Sequence, residues 1–143
     1  MNLLVVGGAG YIGSHMVKRL LDSNHSVTTL DNLTAGYRDA VLGGEFIQGD
    51  IGDRSLLDKI FSEHKFDAVM HFASFIQVAE SVKRPDIYYQ NNLANTINLL
   101  NAMNLAGIKK LIFSSTAAML LAPPSSFILV GLHRALHDCL MRF

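Results

Sequence analysis

Leu3-Leu4-Val5-Val6-Gly7-Gly8-Ala9-Gly10-Tyr11-Ile12-Gly13 carries an apolar run straight into a glycine-rich turn. The residues before Gly7 read as a strand buried on both faces. Gly7 lets the chain leave that strand in a tight turn that a Cβ would obstruct. Gly10 leaves space for another group to lie against the backbone, and Gly13 lets the following helix pack close to the strand. The helix is predicted over about Tyr11 to Ser23, with Ile12, Met16, Val17, Leu20 and Leu21 on one side. A second strand, Ser26 to Leu30, ends in Asp31.

Strand, glycine loop, helix, strand and acid, in that order, are what a bound dinucleotide requires. The helix N-terminus presents unpaired N–H groups and a partial positive charge to a pyrophosphate. A carboxylate at Asp31 accepts the adenine ribose hydroxyls and repels a 2′-phosphate, so NAD is expected rather than NADP. A third strand, Glu45 to Gly49, leads into Asp50-Ile51. That acid and aliphatic pair is placed to bracket an adenine ring.

Composition supports the same class. The chain has 143 residues, enough for one domain; 50% are hydrophobic and 17% charged. A formal net charge of +0, with no Lys/Arg cluster, argues against a nucleic-acid partner. The one cysteine, Cys139, forms no disulfide framework and suits a reducing cytoplasm. The N-terminus has no basic stretch and its apolar run breaks at Gly7, so it reads as a strand and not as a signal peptide. No apolar run is long enough to span a membrane, and a cytoplasmic protein is expected.

The β-α alternation continues. Ser55 to His64 is predicted as the next helix, with Leu56, Leu57, Ile60 and Phe61 inward, followed by a strand over Asp67 to Phe72. A short helix covers about Gln77 to Val82. Pro85 then starts a long helix, Asp86 to Ala106, closed by Gly107. A fifth strand covers Lys110 to Ser114. The predicted fold is an α/β doubly wound parallel sheet of order 3-2-1-4-5, Rossmann-like but incomplete, with ligand between strands one and four. The long helix carries Asn91, Asn92, Asn95, Asn98, Asn101 and Asn104, of which the last three are expected on a polar outer face. Asn91 and Asn92 lie near the strand ends, where either one is placed to meet cofactor or a substrate loop.

The chain divides at Ala118. Residues 1–118 read as a partial NAD-binding domain, and 119–143 as an atypical tail. The tail is Leu-rich, with Pro123-Pro124 and a helix expected over 126–142 whose apolar stripe is Leu129, Leu132, Leu136, Leu140 and Phe143. His133 and His137 stand four apart but lack a third ligand, so no metal site is expected.

Several stretches together resemble the N-terminal part of the extended short-chain dehydrogenase/reductase family, in its nucleotide-sugar epimerase branch. They are Gly7-Gly8-Ala9-Gly10-Tyr11-Ile12-Gly13-Ser14-His15, Leu30-Asp31-Asn32-Leu33, Gly49-Asp50-Ile51 and His71-Phe72-Ala73-Ser74. Val78-Ala79-Glu80-Ser81-Val82, Tyr88-Tyr89-Gln90-Asn91-Asn92 and Phe113-Ser114-Ser115-Thr116-Ala117-Ala118 extend the likeness. The resemblance implies that Tyr11 and Ile12 line the pyrophosphate loop, Asp31 and Asn32 hold the adenine ribose, and Asp50 and Ile51 hold the adenine. It implies that Phe72, Ala73 and Ser74 run along the second half of NAD, that Asn91 contacts it, and that Ser114 lies at the end of strand five. Thr116 matches the catalytic Ser/Thr whose hydroxyl bonds the 4-oxygen of the sugar.

The implied activity is 4-epimerisation of a UDP-sugar, interconverting UDP-glucose and UDP-galactose through a 4-keto intermediate, in a homodimer joined through helix 86–106. The family's chemistry also uses Tyr-x-x-x-Lys, in which nearby positive charge lowers the phenol's pKa. Here none of Tyr11, Tyr37, Tyr88 and Tyr89 has a lysine four residues on, and no lysine follows Lys110. The family's Tyr-Gly after Ala118 is replaced, so the ending reads as out of frame or truncated, and the chain alone as inactive. A nucleotide-sugar 4,6-dehydratase would show Thr-Asp-Glu where Thr116-Ala117-Ala118 stands. An NAD-binding remnant and half of a split enzyme are the non-catalytic alternatives.

Overall fold

The computed structural model of the chain describes residues 1–114. Thr116, the boundary at Ala118 and the helix expected over 126–142, with its two histidines, lie outside the described residues. Five parallel strands form one sheet of order β3-β2-β1-β4-β5. They are β1 (Asn2–Val6), β2 (Ser26–Asp31), β3 (Glu45–Gln48), β4 (Ala68–His71) and β5 (Leu111–Phe113). The expected order is the observed one.

Alternation along β1 divides the core. Leu4 and Val6 point to one face and join Leu30, Val69, Leu57, Ile60, Leu99, Ala102 and Met103. Leu3 and Val5 point to the other, with Val27, Met70, Met16, Val17 and Leu20. The first face is covered by α2 (Arg54–Glu63) and by α5 (Asn95–Leu105), the second by α1 (Tyr11–Asp22). Coverage on both faces is why β1, β4 and β5 read as nearly unbroken apolar runs.

The elements end where their chemistry requires. Asp53 caps α2, its side chain accepting the Leu56 N–H at 3.1 Å. Gly107 follows α5 with φ +73, and a Schellman pair closes the helix: Gly107 N–H to the Asn104 carbonyl at 3.1 Å, Ile108 N–H to the Met103 carbonyl at 2.9 Å. Among the described strands β5 pairs only with β4 and so forms a sheet edge.

Three expectations need correction. Ile12 is exposed and not inward, because the first turn of α1 stands above the carboxyl ends of the strands, where no sheet lies beneath it. The long helix is not one α-helix: α3 (Val78–Lys83) is followed by α4 (Pro85–Tyr88), a π-helical turn over Tyr89–Ala94, and then α5. Asn98 is half-buried and donates to the Gly52 carbonyl at 3.2 Å, so only Asn101 and Asn104 keep the polar outer face.

Candidate dinucleotide-binding groove

The groove lies at the carboxyl ends of β1, β2 and β4, where the strand order reverses. Gly7 leaves β1 with φ +79, and its N–H donates to the Leu30 carbonyl at 2.8 Å. A Cβ there would stand 2.5 Å from the Ala73 backbone nitrogen, so the glycine loop and the end of β4 touch. At Gly13 a Cβ would fall 2.1 Å from the Gly7 carbonyl oxygen, which is the close helix-to-loop packing expected of that position. Gly10 is open by comparison, its nearest neighbour being the Gly7 oxygen at 3.4 Å. Gly10 is the N-cap of α1 with no side-chain cap, and the first turn holds no acid. The leading N–H groups of α1 therefore remain available to an anion.

Asp31 is buried beneath this loop. Its Oδ2 accepts the Ala9 N–H at 2.9 Å and its Oδ1 accepts the Leu33 N–H at 2.8 Å. A carboxylate has about four acceptor sites, so each oxygen keeps one for a hydroxyl. Leu33 pays with a left-handed backbone, φ +60, uncommon for a leucine and held here by its bond to Asp31.

Asp50 is pinned by three donors. Asn32 Nδ2 reaches its Oδ2 at 2.7 Å; the Gly52 N–H at 2.6 Å and Asn95 Nδ2 at 3.2 Å reach its Oδ1. Val6, Leu30, Ile51, Ala73 and Asn91 complete the groove wall around Asp31, Asn32 and Asp50. Phe72 and Ser74 flank Ala73, both half-buried. Tyr11 is exposed at the start of α1, against the ring of His15. Ser114 follows β5 and donates its N–H to the His71 carbonyl at 2.9 Å, which sets it at the same carboxyl edge.

Of the two asparagines left open by the sequence, Asn91 lines the groove. Asn92 is committed elsewhere: its Oδ1 accepts the Phe75 N–H and its Nδ2 donates to the Phe75 carbonyl, both at 2.9 Å. The sequence reading missed Asn95, His71 and Leu33 as parts of the site. The histidine ending an apolar strand was the one available signal.

His71 is 1% exposed. Its Nδ1 accepts the Ala73 N–H at 3.2 Å, which leaves the ring proton on Nε2, 3.0 Å from Thr96 Oγ1. Thr96 in turn donates to the Asn92 carbonyl at 2.9 Å. Burial lowers the pKa of the imidazole from 6.5 to about 4, so this chain of bonds uses the neutral ring. A larger hollow of about 470 Å³, bounded by Ser81, Pro85, Tyr88, Tyr89, Asn92 and Leu93, includes no residue of the glycine loop.

Fold and groove define a Rossmann-like dinucleotide-binding unit. The family model described as NAD dependent epimerase/dehydratase matches residues 3–126, and the chain belongs to that family. UDP-glucose 4-epimerase of Azospirillum brasilense is 51% identical over 124 residues, covering 86% of this chain and 36% of that protein. The crystal structure of UDP-glucose 4-epimerase from Brucella ovis in complex with NAD superposes with TM-score 0.81 at 42% identity, over 87% of this chain and 38% of that one. The Thermotoga maritima UDP-glucose 4-epimerase with UDP-glucose gives TM-score 0.77 at 39% identity, over 81% and 38%. The chain thus spans little more than a third of the length of these relatives. Among the described residues, no helix is long and apolar enough to cross a membrane.

Proposed function

We propose that this chain is the NAD-binding part of an epimerase acting on UDP-glucose and UDP-galactose, with residues 1–118 as the cofactor unit. The observation that carries the reading is the Asp31 carboxylate under an uncapped helix N-terminus at the strand-order reversal. When bound, NAD supplies a hydride acceptor that gives the hydride back. The chain's own residues bind and orient. The Gly7–Gly13 loop and the first turn of α1, with Tyr11 and Ile12, take the pyrophosphate. Asp31 and Asn32 take the adenine ribose, and Asp50 and Ile51 the adenine. Phe72, Ala73, Ser74, Asn91 and Ser114 serve the remaining half, and Thr116 is the residue assigned to the sugar. Thr116 positions the 4-oxygen; an alcohol without a partner base is too weak an acid at neutral pH to do more.

Calorimetric titration of the chain with both cofactors tests the binding part. NAD is expected to bind at least about tenfold more tightly than NADP, because a 2′-phosphate would approach a buried carboxylate. Equal or tighter binding of NADP would sink the assignment of Asp31. A coupled assay tests the chemistry. The chain alone is expected to show no turnover of UDP-galactose, for want of Tyr-x-x-x-Lys. Turnover that disappears in Thr116→Ala would overturn this and require a base elsewhere.

Self-association through residues 86–106, which span α4, the π-helical turn and α5, belongs to the same reading. Tyr89, Leu93, Ile97 and Leu100 are exposed there. Light scattering over a concentration series reads it, and a monomer throughout would remove it.

A further inference from the structure

We propose that the π-helical turn Tyr89–Ala94, together with the first residues of α5, is a two-ended clamp that sets the width of the cofactor groove, with Asn92 and Asn95 as its positioning residues. The proposal rests on the NAD reading above. At one end, Asn95 is 7% exposed, an unusual burial for an amide. It donates to Asp50 Oδ1 and accepts from Gln90 Nε2 at 2.9 Å, so both ends of its side chain are satisfied. Asp50 stands on the lip of the groove formed by the end of β3.

At the other end, the Asn92 amide brackets the backbone of Phe75 through both its N–H and its carbonyl. Asn92 Oδ1 also accepts Asn91 Nδ2 at 2.8 Å, which orients the asparagine that lines the groove. Thr96 ties the Asn92 carbonyl to His71, and His71 holds the Ala73 N–H. Ala73 and Phe75 belong to the opposite lip, formed by the end of β4.

Each lip is thus bonded to the same short stretch of helix. The turn is closed from i to i+5 and so takes more residues per turn than an α-helix. Asn91 and Asn92 lie in this turn, and Asn95 and Thr96 are the first two residues of α5 directly after it.

The test uses the full 143-residue chain, titrated with AMP and with NAD. AMP occupies only the Asp31–Asp50 side, whereas NAD also runs along Ala73. Asn95→Ala is expected to weaken AMP and NAD alike, by about tenfold, the loss of one buried hydrogen bond to a charged group. Asn92→Ala is expected to weaken NAD by about tenfold while AMP stays within about twofold, because it removes both neutral hydrogen bonds to the Phe75 backbone, each worth several-fold. The NAD-to-AMP ratio in one protein is the decisive readout, because a partly unfolded population lowers both apparent affinities by the same factor. Asn92→Asp keeps the acceptor for the Phe75 N–H and loses the donor, so it is expected to recover part of the ratio. If the unaltered chain binds neither ligand, the NAD reading fails and the clamp with it. If it binds both and Asn92→Ala leaves the ratio unchanged, or Asn95→Ala leaves AMP unchanged, the clamp is overturned while the NAD reading stands.

Discussion

Gly13→Ala is expected to cost about 3 kcal/mol of stability and to abolish NAD binding, the upper end of what overpacking usually costs. The new Cβ would meet the Gly7 oxygen at 2.1 Å, the Gly8 Cα at 2.8 Å and the Gly7 carbonyl carbon at 2.9 Å. All three are backbone atoms, so no flexible side chain can swing aside. Relief comes only by lifting α1 off the loop, which misplaces its leading N–H groups. Gly10→Ala is the matched control. Its Cβ would have only the Gly7 oxygen at 3.4 Å as neighbour, an ordinary contact. That variant is expected to keep the parent stability and still lose affinity, because the Cβ enters the space assigned to the pyrophosphate. Thermal unfolding and titration of both variants check this. If Gly13→Ala melts within a few degrees of the parent, on a scale where about 3 kcal/mol moves Tm by on the order of 10 °C, the packing argument is wrong.

Stability is expected to fall as pH drops from 6.5 towards 4, and His71 is the cause. Its folded pKa is about 4 against an ordinary 6.5. Between those values the unfolded chain binds the proton and the folded chain does not. The contribution is therefore fully present above pH 6.5 and lost as pH falls towards 4. The difference corresponds to about 3 kcal/mol. The contacts of His71 are Thr96, the Ala73 N–H and the ring of Phe113 at 5.2 Å, none of them charged. Nothing among them rewards the imidazolium, which would also lose its bond from Ala73. Urea unfolding at pH 7, 5.5 and 4.5 measures the slope. His71→Leu is expected to be less stable at pH 7, since it leaves the Ala73 N–H unpaired, but flatter towards acid. Parallel pH curves for the two proteins would show that some other group carries the acid lability.

The legible part of this protein was its strand-and-loop chemistry. The glycines at 7, 10 and 13 and the acid at 31 are local requirements of a turn, a close approach and a strand end, so neighbouring residues suffice to read them. The sheet order followed from β-α alternation with a glycine loop after the first strand, the pattern of a doubly wound sheet whose order reverses at that strand. Helix ends were readable at Pro85 and Gly107 for the same local reason. The long helix was not. From Asn92 on its asparagines recur at steps of three, a spacing that a polar outer face and a groove-facing one share.

Sequence alone therefore determined the fold class, the cofactor class and the residues that touch the turn, since each depends on backbone freedom or strand order over a few neighbours. The tertiary structure decided the rest. It turned Asn95 inward to Asp50, gave Asn92 to Phe75 and left Asn91 at the groove. It also buried His71 as a neutral ring between the end of β4 and Thr96. These outcomes depend on partners 17 to 45 residues away, and on a widened helical turn whose cost only the assembled contacts repay.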